Sequence, residues 1–399
     1  MVISKRISVR PREQRLSLSV FDRSCGFSLP LSESIKNELK GWGSVIRSIF
    51  EIETGKLQGK FAATLGNGQI GLFDLVQLKY PEFMGVIGEH EQNRDSSMIL
   101  EDGRLLIGEV EGAINLWDLG KRMCTLSLKA DNGPIQSVFQ KGNIVFSGSK
   151  GAYLPGAVHK ADVEEGKLIW VSESTGQSEL KDVEAAVKAW DITTGDLLWE
   201  YILDRKVWGE DFPTTLICIE EILYLGYMSG KIDALNATNG DLVGSLEGHS
   251  RYICSLLPLS QGKLASSSSD GTIKIWDLQT RSCLNTQVGH FSITVLRLLS
   301  NGNLLSCSWD GTIHVWDITN SNALLTLDNH LGWESALFEL EGDKLAIASN
   351  GSMKVWDLRT GEECKTIKQY KSPVRHFFPI SKRRVFSASD NGEVVIYNR

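Results

Sequence analysis

The chain alternates apolar and polar residues in short bursts separated by turns that carry glycine. Tyr252-Ile253-Cys254-Ser255-Leu256-Leu257 and Ile293-Thr294-Val295-Leu296-Arg297-Leu298 have the period of two expected of half-buried strands. Each is followed by a turn, at Gln261-Gly262 and Asn301-Gly302, and then by a strand of small residues such as 263–269. A second turn at Asp270-Gly271 or Asp310-Gly311 leads to a third strand, and a fourth follows. Asn-Gly and Asp-Gly accept the positive φ that tight hairpins require, so the pattern predicts a four-stranded antiparallel meander as the unit.

That unit repeats. Gly271-Thr272-Ile273-Lys274-Ile275-Trp276-Asp277-Leu278 returns as Gly311 to Ile318 and again as Gly351 to Leu358, at a period of 40 residues. Taking the aromatic position of each copy as a marker gives Phe73, Trp117, Trp190, Leu235, Trp276, Trp316, Trp356 and Tyr397. The intervals stay between 40 and 45 except for the 73 residues separating Trp117 from Trp190. Four-stranded meanders repeated radially make a β-propeller. The expectation is an all-β, eight-bladed propeller over 44–399, with seven blades as the alternative. The last copy ends at its third strand, so an N-terminal strand around 15–21 is expected to pair with that free edge as a latch. The remainder of the N-terminal segment, residues 1–43, holds one predicted short helix at 32–40.

Composition narrows the role. A net charge of −7 argues against a phosphate-backbone binder, so no nucleic-acid partner is expected. Seven cysteines without CxxC spacing fit a reducing compartment. No secretory or membrane-spanning apolar run is present, which makes a cytoplasmic location and no membrane partner the expectation.

At this point the sequence resembles the WD-repeat family over about residues 44–399, most strongly where Gly248-His249, Gly289-His290 and Asn329-His330 precede Trp276, Trp316 and Trp356. The resemblance implies a structural brace linking a loop His, a Ser on the second strand, a turn Asp and the Trp. In this chain that is His249, Ser268, Asp270 and Trp276 in blade five, and His290, Ser308, Asp310 and Trp316 in blade six. A buried indole needs an acceptor for its one N–H, and such a chain of polar groups provides it. The same Ser, His and Asp recur at the repeat period, as scaffolding does and a single nucleophilic site does not. No catalytic residue, metal cluster or cofactor is expected. A second resemblance lies in Trp190-Asp191-Ile192-Thr193-Thr194-Gly195-Asp196-Leu197-Leu198-Trp199 and in 234–242, which look like quinoprotein-type propeller repeats and imply eight blades.

The brace puts the His loops and Asp turns on one rim, the face on which WD-repeat proteins commonly take partner segments. Candidate contact residues there are Trp309, Tyr252, Trp333, Arg251, Lys371 and Arg375. Tyr, Trp and Arg are the types enriched in binding hot spots, and the basic residues suit an acidic or phosphorylated segment. The long interval reflects an insertion at about 152–184, with seven acidic residues against three lysines, leaving blade three on that same face. The function expected is a non-enzymatic protein–protein interaction scaffold or adaptor. The alternatives are a substrate receptor of a ubiquitin ligase and a quinoprotein-like redox enzyme.

Overall fold

The computed structural model describes residues 28–30 and, from 46 to 398, all but 53–56, 66–68, 75–81, 90–95, 130–132, 151–157, 165–166, 174–184, 204–210, 290, 309, 320, 328–335, 341–342, 350–351, 369–373, 382–383 and 390–393. The expected helix at 32–40 and the expected strand at 15–21 lie outside the described residues. Among those described, none forms a helix long and apolar enough to cross a membrane.

Eight four-stranded antiparallel sheets and one two-stranded hairpin form among the described residues. Numbered along the chain, the sheets run over 46–89, 96–129, 135–202, 213–246, 253–288, 293–327, 336–368 and 374–398. Sheet five shows the plan, with strands Ile253–Leu259, Lys263–Ser268, Thr272–Asp277 and Ser282–Val288 in chain order. Sheet eight departs from it. Its fourth strand is Ser28–Pro30, antiparallel to Val394–Asn398, with Leu29 opposite Ile396. The strand that meets the last edge is therefore later in the chain than the one the alternating pattern suggested.

The first strands of sheets two to six lie side by side in order, and that of sheet one lies against those of sheets two and eight. The middle strands of sheets two to five are consequently covered on both faces. In sheet five Leu256, Leu264 and Trp276 pack with Tyr224 and Ile232 of sheet four. The alternate residues Leu257, Ala265, Ile273 and Ile275 pack with Leu296 and Leu304 of sheet six. The side-chain period of two thus sends one strand into two different core clusters. Fourth strands bury only their inner side, which leaves Leu198, Leu284 and Leu324 exposed.

Polar residues at fixed offsets hold the turns. The Asp or Asn after six of the marker residues accepts backbone N–H groups of the following turn: Asp118 from Gly120, Asp191 from Thr193, Asn236 from Thr238, Asp277 from Thr280, Asp317 from Thr319 and Asp357 from Arg359. These are Asx turns, in which a short side chain replaces a backbone acceptor. The Trp190-to-Trp199 phrase also has a local cause. Trp199 reaches across to sheet four, donates its Nε1–H to the Ala237 carbonyl at 3.1 Å, and lies over Gly240.

Insertion residues Val158–Glu164 and Lys167–Glu173 pair as a hairpin, with Glu164 opposite Lys167, between the second and third strands of sheet three.

Gly240 has φ +77°, and a Cβ there would stand 2.7 Å from the Trp199 ring. Gly240→Ala is expected to destabilise the protein by about 1–3 kcal/mol, read as a lower urea midpoint. An unchanged midpoint would show that sheet three does not depend on this contact.

Candidate functional site

The polar network of sheet five is built outward from Trp276. The indole is buried, and its Nε1–H donates to Ser266 Oγ at 2.7 Å. Ser266 Oγ also lies 2.7 Å from His249 Nε2, and His249 Nδ1 lies 3.0 Å from Asp270 Oδ2. The directions close when Ser266 donates to Nε2 and the Nδ1–H donates to Asp270, the neutral tautomer that satisfies every donor. Asp270 further accepts Thr272 Oγ1–H at 2.6 Å and the Ser250 N–H at 2.9 Å. Burial pushes the Asp270 carboxyl up, but His249, Thr272 and the Ser250 N–H outweigh it and hold the group well below the usual carboxylate range.

The serine in this network is Ser266, which corrects the expected Ser268. Strand register explains the difference. Trp276 pairs with Leu264, so Ser266 is its diagonal neighbour on the same face, about 7–8 Å away. Ser268 is two pleats further on and serves the loop, donating to the Arg251 carbonyl and accepting the Asp270 N–H. The diagonal relation recurs: Trp316 donates to Ser306 at 2.7 Å and Trp190 to Ser147 at 3.1 Å. In sheet six Ser308 instead accepts the Asp310 N–H at 3.2 Å. Asp310 binds the Phe291 N–H as Asp270 binds that of Ser250.

Asp270, His249 and Ser266 have the hydrogen-bond order of a nucleophilic triad. Ser266 is 0 % exposed and already accepts the indole N–H, so no substrate atom can approach its hydroxyl. Among the described residues no group of His, Cys, Asp and Glu could hold a metal ion.

The loops pinned by these aspartates border a cleft of about 450 Å³ spanning three sheets. Sheet four contributes Met228 and Ser229 from its second turn. Ser250, Arg251 and Tyr252 come from the loop leading into sheet five, and Ser269 from that sheet's turn. Phe291 and Ser292 close the far side. Two contacts fix the near wall. Ser229 N–H donates to Asp211 at 2.9 Å, and Gly230, at φ +92°, lies where a Cβ would be 2.6 Å from the Arg251 carbonyl.

Arg251 is exposed and has no ion pair among the described residues. The Tyr252 phenol is pushed up, chiefly by burial, with the nearby Ser292 and Ser269 hydroxyls acting the other way. Phe291 is 77 % exposed. The cleft thus brings together two of the expected contact residues, Arg251 and Tyr252. Trp309, Trp333, Lys371 and the brace residue His290 lie outside the described residues, and Arg375 is described only as part of strand Val374–Ser381. Phe291, Met228 and the serines were not anticipated. The available signal was an aromatic placed directly after Gly289-His290, in a loop with nothing to cover it.

Radially repeated four-stranded sheets with a buried Trp–Ser–His–Asp chain define a propeller built from sequence repeats. The family model described as "WD domain, G-beta repeat" matches residues 240–277 and 281–317. Two solved structures share the fold. The computationally designed Ika8 protein is 24% identical with a TM-score of 0.65, covering 90% of this chain and 97% of that one. The WD40 beta propeller domain of Doa1 is 16% identical with a TM-score of 0.53, covering 89% and 93%. Restriction of telomere capping protein 1 from Clavispora lusitaniae is 35% identical over 71 residues. That match covers 17% of this chain and 6% of the relative.

Two outcomes follow from the network. Ser266→Ala leaves both the Trp276 N–H and His249 Nε2 without a partner in a buried site, and is expected to cost about 2–5 kcal/mol. Ser268→Ala should cost less than half of that in the same urea titration, and the opposite ranking would refute the assignment. The depressed Asp270 and Asp310 carboxyls stabilise the fold fully above the ordinary carboxylate pKa of about 4. That contribution is lost as pH falls below it toward the folded-state values. The urea midpoint should therefore drop between pH 5 and 3, and Asp270→Asn should lower it at pH 7 while flattening the drop.

Proposed function

We propose that the chain is a non-enzymatic interaction scaffold, an eight-bladed ring over 44–399 that receives a segment of a partner protein in the cleft at Arg251, Tyr252 and Phe291. The ring reading is supported by eight four-stranded sheets and by Ser28–Pro30 pairing with the last strand. Residues 1–43 are then the segment that supplies the latch.

The cleft carries the functional reading. It offers a guanidinium without a described ion pair, a half-buried phenol and a phenyl ring that is largely bare, the side-chain types that dominate binding energy at interfaces. Its volume falls in the roughly 300–1,000 Å³ range of sites that take small ligands or side chains. WD-repeat propellers are typically interaction platforms without enzymatic activity, which agrees with a triad-like network whose serine is sealed. The insertion leaves sheet three between the same two strands whose turn, in sheets four and five, borders the cleft. In this reading the insertion overhangs the same face. Six free cysteines among the described residues accord with a reducing, cytoplasmic setting.

The test compares proteins recovered by affinity capture with the wild-type chain, a Tyr252→Ala/Phe291→Ala variant, and Leu324→Ser on an exposed outer strand. Partners of the wild type should persist with Leu324→Ser and fall at least about tenfold with the double variant. Equal recovery from all three would place the interaction elsewhere.

A further inference from the structure

We propose that the cleft recognises a peptide segment carrying a single carboxylate, from Asp or Glu, beside a large apolar residue. This rests on the cleft being the interaction site. Charge decides the first half. Among the described residues the lining holds one basic side chain, that of Arg251, and no acidic one. Behind the lining stand three acids, each accepting a backbone N–H of a lining residue: Asp211 from Ser229, Asp270 from Ser250 and Asp310 from Phe291. Those three are spent on holding the loops, but their negative charge remains close by. One guanidinium in front of them balances one incoming negative charge and can meet a carboxylate through two parallel N–H donors. A phosphate brings about −1.5 to −2 at neutral pH, and its sites commonly gather several arginines. With one cation facing three fixed acids, the monoanion fits and the dianion does not.

Hydrogen bonding points the same way. Among the described residues the buried Ser269 Oγ, which lies beside the Tyr252 phenol, has no hydrogen-bond partner of good geometry. A buried hydroxyl left unpaired is unfavourable, and an acceptor arriving with a ligand relieves it. The Ser250, Ser292 and Tyr252 hydroxyls stand beside it as further donors for the second carboxylate oxygen.

The apolar half follows from Phe291. Its backbone is pinned to Asp310 at 3.1 Å while the residue is 77 % exposed, so the ring is held at the edge of the cleft and left largely bare. Met228 lies on the opposite wall. An aromatic and a deformable thioether lining one cleft suit a bulky aliphatic or aromatic side chain.

A random peptide library displayed on phage and selected on the full chain tests this, followed by fluorescence anisotropy with the strongest peptide. Selected peptides should carry Asp or Glu next to Leu, Ile, Met, Phe or Trp. Arg251→Ala should weaken binding by about tenfold or more. Glu→Gln in the peptide should do the same, with no additional loss when the two changes are combined. Replacing that Glu by phosphoserine should bring no gain. Peptides that need Tyr252 and Phe291 but ignore Arg251 would overturn the carboxylate while leaving the interaction face in place. A tenfold gain with phosphoserine would overturn the charge argument. Peptides indifferent to all three residues, or a selection yielding none that depends on them, would count against both this proposal and the face.

Discussion

An indole buried between two sheets has one N–H and no water to receive it, and most of the local architecture answers that demand. The third strand cannot provide the acceptor, because its backbone groups are committed to the ladder. The second strand can, from the diagonal position on the same face. Ser266, Ser306 and Ser147 occupy that position for Trp276, Trp316 and Trp190. Where the serine is absent the consequences are visible. Sheet two has Ile107 at the diagonal, and the Trp117 N–H has no partner among the described residues. Sheet four has replaced both members, with Leu235 for the tryptophan and Leu225 for the serine. Exchanging the pair as a unit avoids the penalty of a buried unpaired group.

Sheet four then shows what else changes when the indole goes. At the position of Lys274, two residues before the tryptophan, it carries Asp233, which is 2 % exposed. Asp233 accepts from Lys231 Nζ at 2.9 Å and from Ser245 Oγ at 2.5 Å. Burial pulls the Lys231 ammonium down, but its bond to Asp233 prevails and its pKa is raised. The Tyr227 phenol, buried nearby, is pushed well up by desolvation and by the Asp233 charge. Where the other sheets carry a brace centred on an aromatic, sheet four carries an ion pair, and a pair of that kind tolerates the loss of either member poorly.

Periodicity made the strands, the hairpin turns and the repeat legible, because the middle strands of the inner sheets are buried on both faces and the pattern returns with each sheet. Face-level details were harder to read. Choosing Ser268 over Ser266 required knowing that Trp276 pairs with Leu264, and four serines in a row from Ser266 to Ser269 hide that register. The strand at Ser28–Pro30 is three residues long and ends in proline, too short to show alternation. The turn-capping role of the Asp that follows each tryptophan was present in the sequence as a Thr two or three residues later in sheets three, five, six and seven. The cleft was half legible. Arg251 and Tyr252 stood out by type, whereas Met228 and Phe291 belong to neighbouring sheets and meet them only through folding.

The same aspartates link brace and cleft. Asp270 satisfies His249 on its inner side and fixes the Ser250 N–H on its outer side. The acceptor chain begun by a buried indole thus ends by setting the backbone next to Arg251. Asp310 does this for Phe291. Gly230 allows the turn of sheet four to press against that loop from the other side. The cleft is shaped by groups whose first duty is to the core. Arg251 and Phe291, exposed at its edge, can vary at little cost to the sheets, which separates what the repeat must keep from what recognition can change.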